Sequence, residues 1–147
     1  MNRKLTYLLL LSLIFFFQSC SKDILKKYEG DFSFSTKVTD YYKSKMVSKD
    51  TIIKSTGTIT EIDKSTLRIN YGTIIQGDSR NGFFMLGTVN VKVDSDGNIS
   101  TANGNHGYDI STTGKFDGND RLSMIIEMSS EQYGNLSTEV VDGIRKQ

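Results

Sequence analysis

From Tyr28 onward, apolar and polar residues alternate. In YEGDFSFSTKVTDYY, Tyr28, Phe32, Phe34, Val38 and Tyr42 share one parity, and Asp31, Ser33, Ser35, Lys37 and Thr39 take the other. A period of two marks a strand with one buried and one wetted face, as in an antiparallel sheet. TLRINY places Leu67, Ile69 and Tyr71 inward, VNVKVD does the same with Val89, Val91 and Val93, and RLSMIIEM with Leu122, Met124, Ile126 and Met128. YDISTTGKF sets Tyr108, Ile110, Thr112 and Phe116 on one side, and NLSTEVVDGI predicts Leu136, Val140 and Ile144 inward. In DTIIKSTGTITEI, Ile53, Gly57 and Ile59 are in phase but Ile62 is not, which predicts a bulge or turn entry near Glu61.

The punctuation suits hairpins. DKS at 63–65, DSDGN at 94–98 and DGND at 117–120 are short and rich in turn-forming Asp, Gly and Asn, while QGDSRNG at 76–82 and NGNHG at 103–107 read as longer loops. No stretch has the period of an amphipathic helix, although SSEQYGN at 129–135 has room for one helical turn. The expectation is an all-β domain over 28–147, an antiparallel meander of about eight or nine strands that closes into a barrel, with a two-sheet β-sandwich as the alternative. Closure removes the exposed edges that invite aggregation. GTITEIDKSTLRINYG, TGKFDGNDRLSMIIEM and the closing VVDGIRK resemble the hairpin grammar of small lipocalin-like or calycin-like bacterial lipoproteins. That resemblance implies a barrel.

The first 27 residues follow a different grammar. Arg3 and Lys4 precede an apolar run from Leu5 to Phe17, too short for a comfortable membrane span and of the length of a signal-peptide core. The run ends at Gln18-Ser19-Cys20, and Cys20 is the only cysteine in the chain. A small residue followed by cysteine at this place resembles the lipobox of bacterial lipoproteins, with Phe17 and Gln18 departing from its commonest form. The resemblance implies cleavage between Ser19 and Cys20, loss of residues 1–19, and diacylglyceryl and acyl chains on Cys20. Two or more chains hold a protein on a bilayer durably, whereas one does not. Ser21, Lys22 and Asp23 resemble the export signal of surface lipoproteins of Bacteroidetes-type bacteria, although only one acidic residue follows the cysteine. Residues 20–27 then form the lipidated cysteine and a short tether. The expected place is the outer membrane, facing the cell surface, with a periplasm-facing position as the alternative.

Composition narrows the chemistry. Without Arg3 and Lys4 the chain keeps 16 basic against 17 acidic side chains, a balance with no basic face for nucleic acid. A single cysteine allows no internal disulfide, and with one histidine no multi-ligand zinc site is expected, nor any other metal or cofactor. His106 with Asp109 would suit a hydrolase base and its orienting carboxylate, but no Gly-x-Ser-x-Gly elbow accompanies them. Asp94, Asp96 and Asn98 have the opening spacing of a calcium loop, yet Ile99 and Asn105 stand where its Gly and Glu belong, so a hairpin turn explains them better. The carboxylate pairs Asp94/Asp96 and Asp117/Asp120 sit in predicted turns, where water keeps both members ionised.

The candidate ligand or partner surface is YYKSKMVSKD, read as a loop between the first two strands, where Tyr41 and Tyr42 stand beside Lys43, Lys45 and Lys49. Asp50-Thr51-Ile52 matches the short O-glycosylation pattern of Bacteroidetes proteins, with Thr51 as acceptor. No catalytic grouping emerges. The expected function is a non-catalytic, membrane-anchored module that binds a small ligand, a glycan or an envelope protein. An accessory subunit of an outer-membrane complex is the alternative, and a hydrolase the least favoured reading. If Phe32, Phe34, Ile69, Tyr108 and Phe116 fill the centre, binding in the interior loses its basis.

Overall fold

A computed structural model describes residues 24–42, 45–72, 87–102, 109–131 and 134–147, with backbone alone for 40–42, 45–51, 135 and 136. Eight antiparallel strands form a closed barrel in sequence order: β1 (Gly30–Tyr42), β2 (Lys45–Asp63), β3 (Thr66–Asn70), β4 (Thr88–Val93), β5 (Asn98–Thr101), β6 (Asp109–Asp117), β7 (Arg121–Ser130) and β8 (Gly134–Arg145). β1 and β8 pair over nine positions, from Phe32↔Arg145 to Asp40↔Ser137, which seals the wall. The meander and its closure agree with the sequence pattern, and the sandwich alternative is set aside.

The alternation places the core as expected in most strands. Phe32, Phe34, Val38, Leu67, Ile69, Tyr71, Val89, Val91, Val93, Phe116, Leu122, Met124, Ile126 and Met128 are all buried. β2 is one long strand, and its register with β3 shifts between Glu61 and Asp63, where the phase break at Ile62 predicts a bulge. β5 is four residues long and is implied in the sequence only by the turn before it. The 76–82 and 103–107 segments and Tyr108 lie outside the described residues.

Four expectations are corrected. In β8 the inward residues are Ser137, Glu139 and Val141, while Val140 and Ile144 face outward at 36% and 57% exposure. The apolar spacing of Val140 and Ile144 misleads, because the interior here takes a glycine: a Cβ on Gly143 would lie 2.8 Å from the Phe34 ring. Tyr28 lies in a 3-10 turn, Lys26–Tyr28, not on β1. YYKSKMVSKD is mostly strand, since β1 runs to Tyr42 and β2 starts at Lys45, leaving 43–44 as the connection. The helical turn expected at 129–135 is replaced at both ends by strand, Ser129 and Ser130 ending β7 and Gly134 opening β8.

The barrel has two unlike ends. The turn end carries the tight connections at 63–66, 94–98 and 117–121, whereas the strand ends joined by 43–44, 71–87, 102–108 and 131–133 all fall at the opposite, connection end. The chain enters at the turn end. Leu25, placed in the tether by the sequence pattern, is 2% exposed and packs in the core with Tyr28, whose ring stacks on Phe116 at 4.0 Å. Arg145 fastens this plug: Nη2 donates to Lys27 O at 2.6 Å, Nε donates to Asn119 O at 3.1 Å, and the guanidinium lies 5.3 Å from the Phe32 ring.

Close approach explains Gly57. A Cβ there would lie 1.9 Å from the Asn70 carbonyl oxygen, a backbone atom that cannot yield without moving β3. Gly57→Ala is expected to cost about 3 kcal/mol by overpacking. Gly118→Ala has nothing within 4 Å and meets only the penalty of φ +65, about 1 kcal/mol. Urea midpoints of the two variants check the ranking.

Candidate functional site

The interior is layered. The turn-end half is apolar and filled: Phe32, Phe34, Ile69 and Phe116 belong to one cluster with Leu67, Leu122 and Met124. An apolar ligand has no place there. Toward the connection end the interior becomes polar. Glu139 on β8 is 0% exposed, and Tyr71, which follows β3, is likewise 0% exposed. The Tyr71 hydroxyl donates to Glu139 Oε2 at 2.5 Å. In the barrel order β1 and β2 separate β8 from β3, so this bond crosses the lumen.

Tyr71 is held for the task. Its N–H donates to Gly87 O at 2.8 Å, its carbonyl accepts from Ser55 Oγ at 2.5 Å, and its ring meets the Phe34 ring edge-on at 6.3 Å. Burial first, and then the Glu139 carboxylate beside it, push the phenol well above its ordinary range, so it stays a protonated donor.

Three further hydroxyls share this half. Thr36, Thr112 and Ser137 are 0%, 1% and 2% exposed, and none of the three hydroxyl oxygens has a hydrogen-bond partner. Register groups them about the carboxylate: Thr112 pairs with Ile126, Ile126 with Glu139 and Glu139 with Val38, while Thr36 and Ser137 are each one inward step along β1 and β8. A buried hydroxyl left without a partner costs about 1–3 kcal/mol.

The outer wall has the opposite character. Asp31, Lys37, Arg68, Lys92, Glu127 and Asp142 are outward positions on five strands. A wall exposed to lipid would carry an apolar band there. One row across β7, β8, β1 and β2 departs from this, Ile125 pairing with Val140, Val140 with Lys37 and Lys37 with Ile52. A cleft of about 230 Å³ indents β6, β7 and β8 near the connection end, lined by Asp109, Glu127, Ser129 and Thr138 among others. Among the described residues no three His, Cys, Asp or Glu side chains gather as a metal site would require.

The sequence-derived candidates scatter. Ser19, Cys20, Ser21, Lys22, Asp23, Lys43 and His106 lie outside the described residues. Tyr41 and Tyr42 close β1, with Tyr42 paired to Lys45 at the start of β2, and Lys49 follows within β2. These backbones stand at the connection end. Thr51 lies in β2 opposite Val38. The Asp94 carboxylate is engaged by its own turn, accepting from Asp96 N and Asn98 N at 2.9 Å and from Asn98 Nδ2 at 2.8 Å. Asp117 and Asp120 are exposed at the turn end, where Asp120 lies 3.4 Å from the Arg145 guanidinium. Thr112 is already on the inward side in the sequence pattern; the groups missed there are Glu139, Thr36 and Ser137. Their one signal is the polar inward parity Ser137, Glu139 that the neighbouring apolar parity obscures.

No protein-family model matches the chain, and no curated protein does. Among solved structures, it is similar to the crystal structure of a structural-genomics protein of unknown function from Bacteroides ovatus, with a TM-score of 0.53 and 12% identity. The match covers 81% of this chain and 42% of that one, so the chain spans less than half of that protein's length. At this identity the likeness shows the fold alone.

Tyr71→Phe removes one donor from a fully buried carboxyl and is expected to cost about 2 kcal/mol, read from the urea midpoint. The turns have an acid signature. Hydrogen bonds from the Asn98 side chain and backbone hold Asp94 below its ordinary 3.8. A depressed carboxyl stabilises above its unfolded pKa and ceases to do so as pH falls through the folded value. Asp94→Ala should therefore be less stable than the parent at neutral pH, with the gap closing below pH 3.8 in thermal melts.

Proposed function

We propose that this chain is a non-catalytic binding module, lipid-anchored through Cys20 at the outer membrane and displayed on the cell surface. One observation carries the reading: the two ends of the barrel are unlike. Leu25 enters the apolar, clamped turn end only five positions after Cys20, at most about 18 Å of extended chain. An anchor on Cys20 would hold the turn end against the bilayer. The connection end, with the long connections 71–87 and 102–108 and the polar interior beneath, would then face away. Connecting segments on a rigid scaffold are where binding surfaces are commonly built. Tyr41, Tyr42, Lys43, Lys45 and Lys49 belong to the same end and remain the candidate partner surface, for a glycan or an anionic envelope protein.

A second reading, an accessory subunit of an outer-membrane complex, draws on the outward row Ile125, Val140 and Ile52. An apolar row on an otherwise charged wall suits a protein neighbour.

Intact-mass spectrometry tests the anchor. The parent should yield a membrane-bound chain beginning at lipidated Cys20, and Cys20→Ala an unlipidated precursor that keeps residues 1–19. A mature, membrane-bound product of Cys20→Ala would overturn the anchoring. Pull-down of the lipidated parent from its own envelope separates the two readings. A stoichiometric protein partner lost on Val140→Lys favours the subunit, and one lost on substitution of Lys45 and Lys49 favours the outward binding face.

A further inference from the structure

Three large apolar side chains are left in water at the turn end. Ile24, Ile62 and Ile144 are 50%, 46% and 57% exposed. Ile62 precedes the 63–66 turn, and Ile144 pairs with Arg121, the first residue of β7 after the 117–121 turn. Hydrogen bonds join the stretch of rim between them. Lys146 N donates to Asp31 O at 2.9 Å, Arg145 Nη2 to Lys27 O at 2.6 Å, and Glu61 N to Glu29 Oε1 at 2.7 Å. Ile24 adjoins this stretch through the buried Leu25. Packing does not ask for these residues. The outward face of β2 shows Thr56, Thr58 and Thr60 before it reaches Ile62, and on β8 Ile144 follows outward Asp142. One exposed isoleucine needs no explanation, whereas three on one rim, where the chain enters the barrel, mark a contact surface.

We propose that this sector of the turn end, from β8 across β1 to the β2–β3 turn, is a lipid-facing rim whose isoleucines enter the headgroup and upper acyl layer of the bilayer. The inference deepens the anchored-module reading by naming the surface that meets the membrane, and rests on it. Reach decides the occupant. Ile24 stands four positions after Cys20, at most about 14 Å of extended chain. A lipidated Cys20 lies at the bilayer surface, so the tether holds this rim beside lipid and beside nothing else in particular. Apolar side chains of proteins that lie on a membrane bury roughly 5–10 Å into that layer. Lys26, Lys64 and Lys146 are exposed on the same rim, with Asp31 and Asp63 among them. The charge is mixed, so the contact is apolar and does not require anionic lipid. Asp94 and Asp96 lie outside the sector, on the β4–β5 turn.

The chain contains no tryptophan, so a single introduced indole reports its own surroundings. Ile62→Trp and Ile144→Trp are made in the full-length chain, with Ile52→Trp as the control, ten positions along β2 from Ile62 and about 33 Å away. Each lipidated protein is placed in phosphatidylcholine vesicles whose acyl chains carry bromine, a contact quencher of indole. The Ile62→Trp and Ile144→Trp indoles should be quenched at least about twofold more than that of Ile52→Trp, with emission shifted to the blue. Thermal melts verify the fold of each variant, and if Ile144→Trp does not fold, Ile62→Trp carries the comparison. Three outcomes overturn the proposal. Weak quenching of all three leaves the barrel clear of the bilayer on its tether. Strong quenching of all three lays the barrel on its side. Blue-shifted emission without quenching at the two rim positions assigns the rim to a second copy of the chain. Intact mass of the same preparations reports lipidation separately. A lipidated chain with an unquenched rim removes this inference and leaves the anchor standing, whereas an unlipidated chain removes both.

Discussion

Everything in this barrel depends on β8 lying against β1. The pairing joins opposite ends of the domain and turns an open eight-strand meander into a cylinder with no free edge. Its register is set by volume. Phe34 pairs with Gly143 on β8, where a Cβ would meet its ring at 2.8 Å, and its ring also reaches Gly57 on β2, where a Cβ would lie 3.2 Å away. A one-residue slip of β8 would present Asp142 or Ile144 to that ring and turn Val141, which is 0% exposed, into water. Closure and packing are thus one constraint.

The same register carries Glu139 inward. A buried carboxyl is costly unless it is satisfied, and Tyr71 supplies a donor from across the lumen. The phenol can do so because its backbone is held on two sides, by Gly87 and by Ser55. A bond between non-neighbouring strands also braces the lumen against flattening, which the ladder hydrogen bonds alone do not. It ends beside the segment that leads from β3 to β4, so the order of the polar layer and the position of that strand end are linked.

Strand order, most of the core and the turns at 63–66, 94–98 and 117–121 are legible in the sequence, because alternation and turn chemistry are local. The bulge near Glu61 is legible for the same reason, since Ile62 falls out of phase within one strand. β8 is not. Val140 and Ile144 outweigh Val141 when the strand is read alone, and what reverses the choice is Phe34, far away in the chain. Glu139 is hidden likewise, because its partner Tyr71 is 68 residues distant. The site is less legible than the fold because it is made of hydroxyls, which look in sequence like any other strand polar residues.

The two halves of the lumen are solved differently, and the difference bears on what each is for. At the turn end every large side chain is apolar or stacked, Leu25 and Tyr28 plug the opening, and Arg145 locks the plug to both flanking segments. Nothing more is needed to hold the fold. At the connection end the same cylinder accepts a carboxyl that Tyr71 bonds and three hydroxyls that lack hydrogen-bond partners, where valine in place of those hydroxyl residues would pack at lower cost. Stability alone does not select that choice. One end of the lumen is thus closed by apolar packing, and the other holds its polar groups about the Tyr71–Glu139 bond.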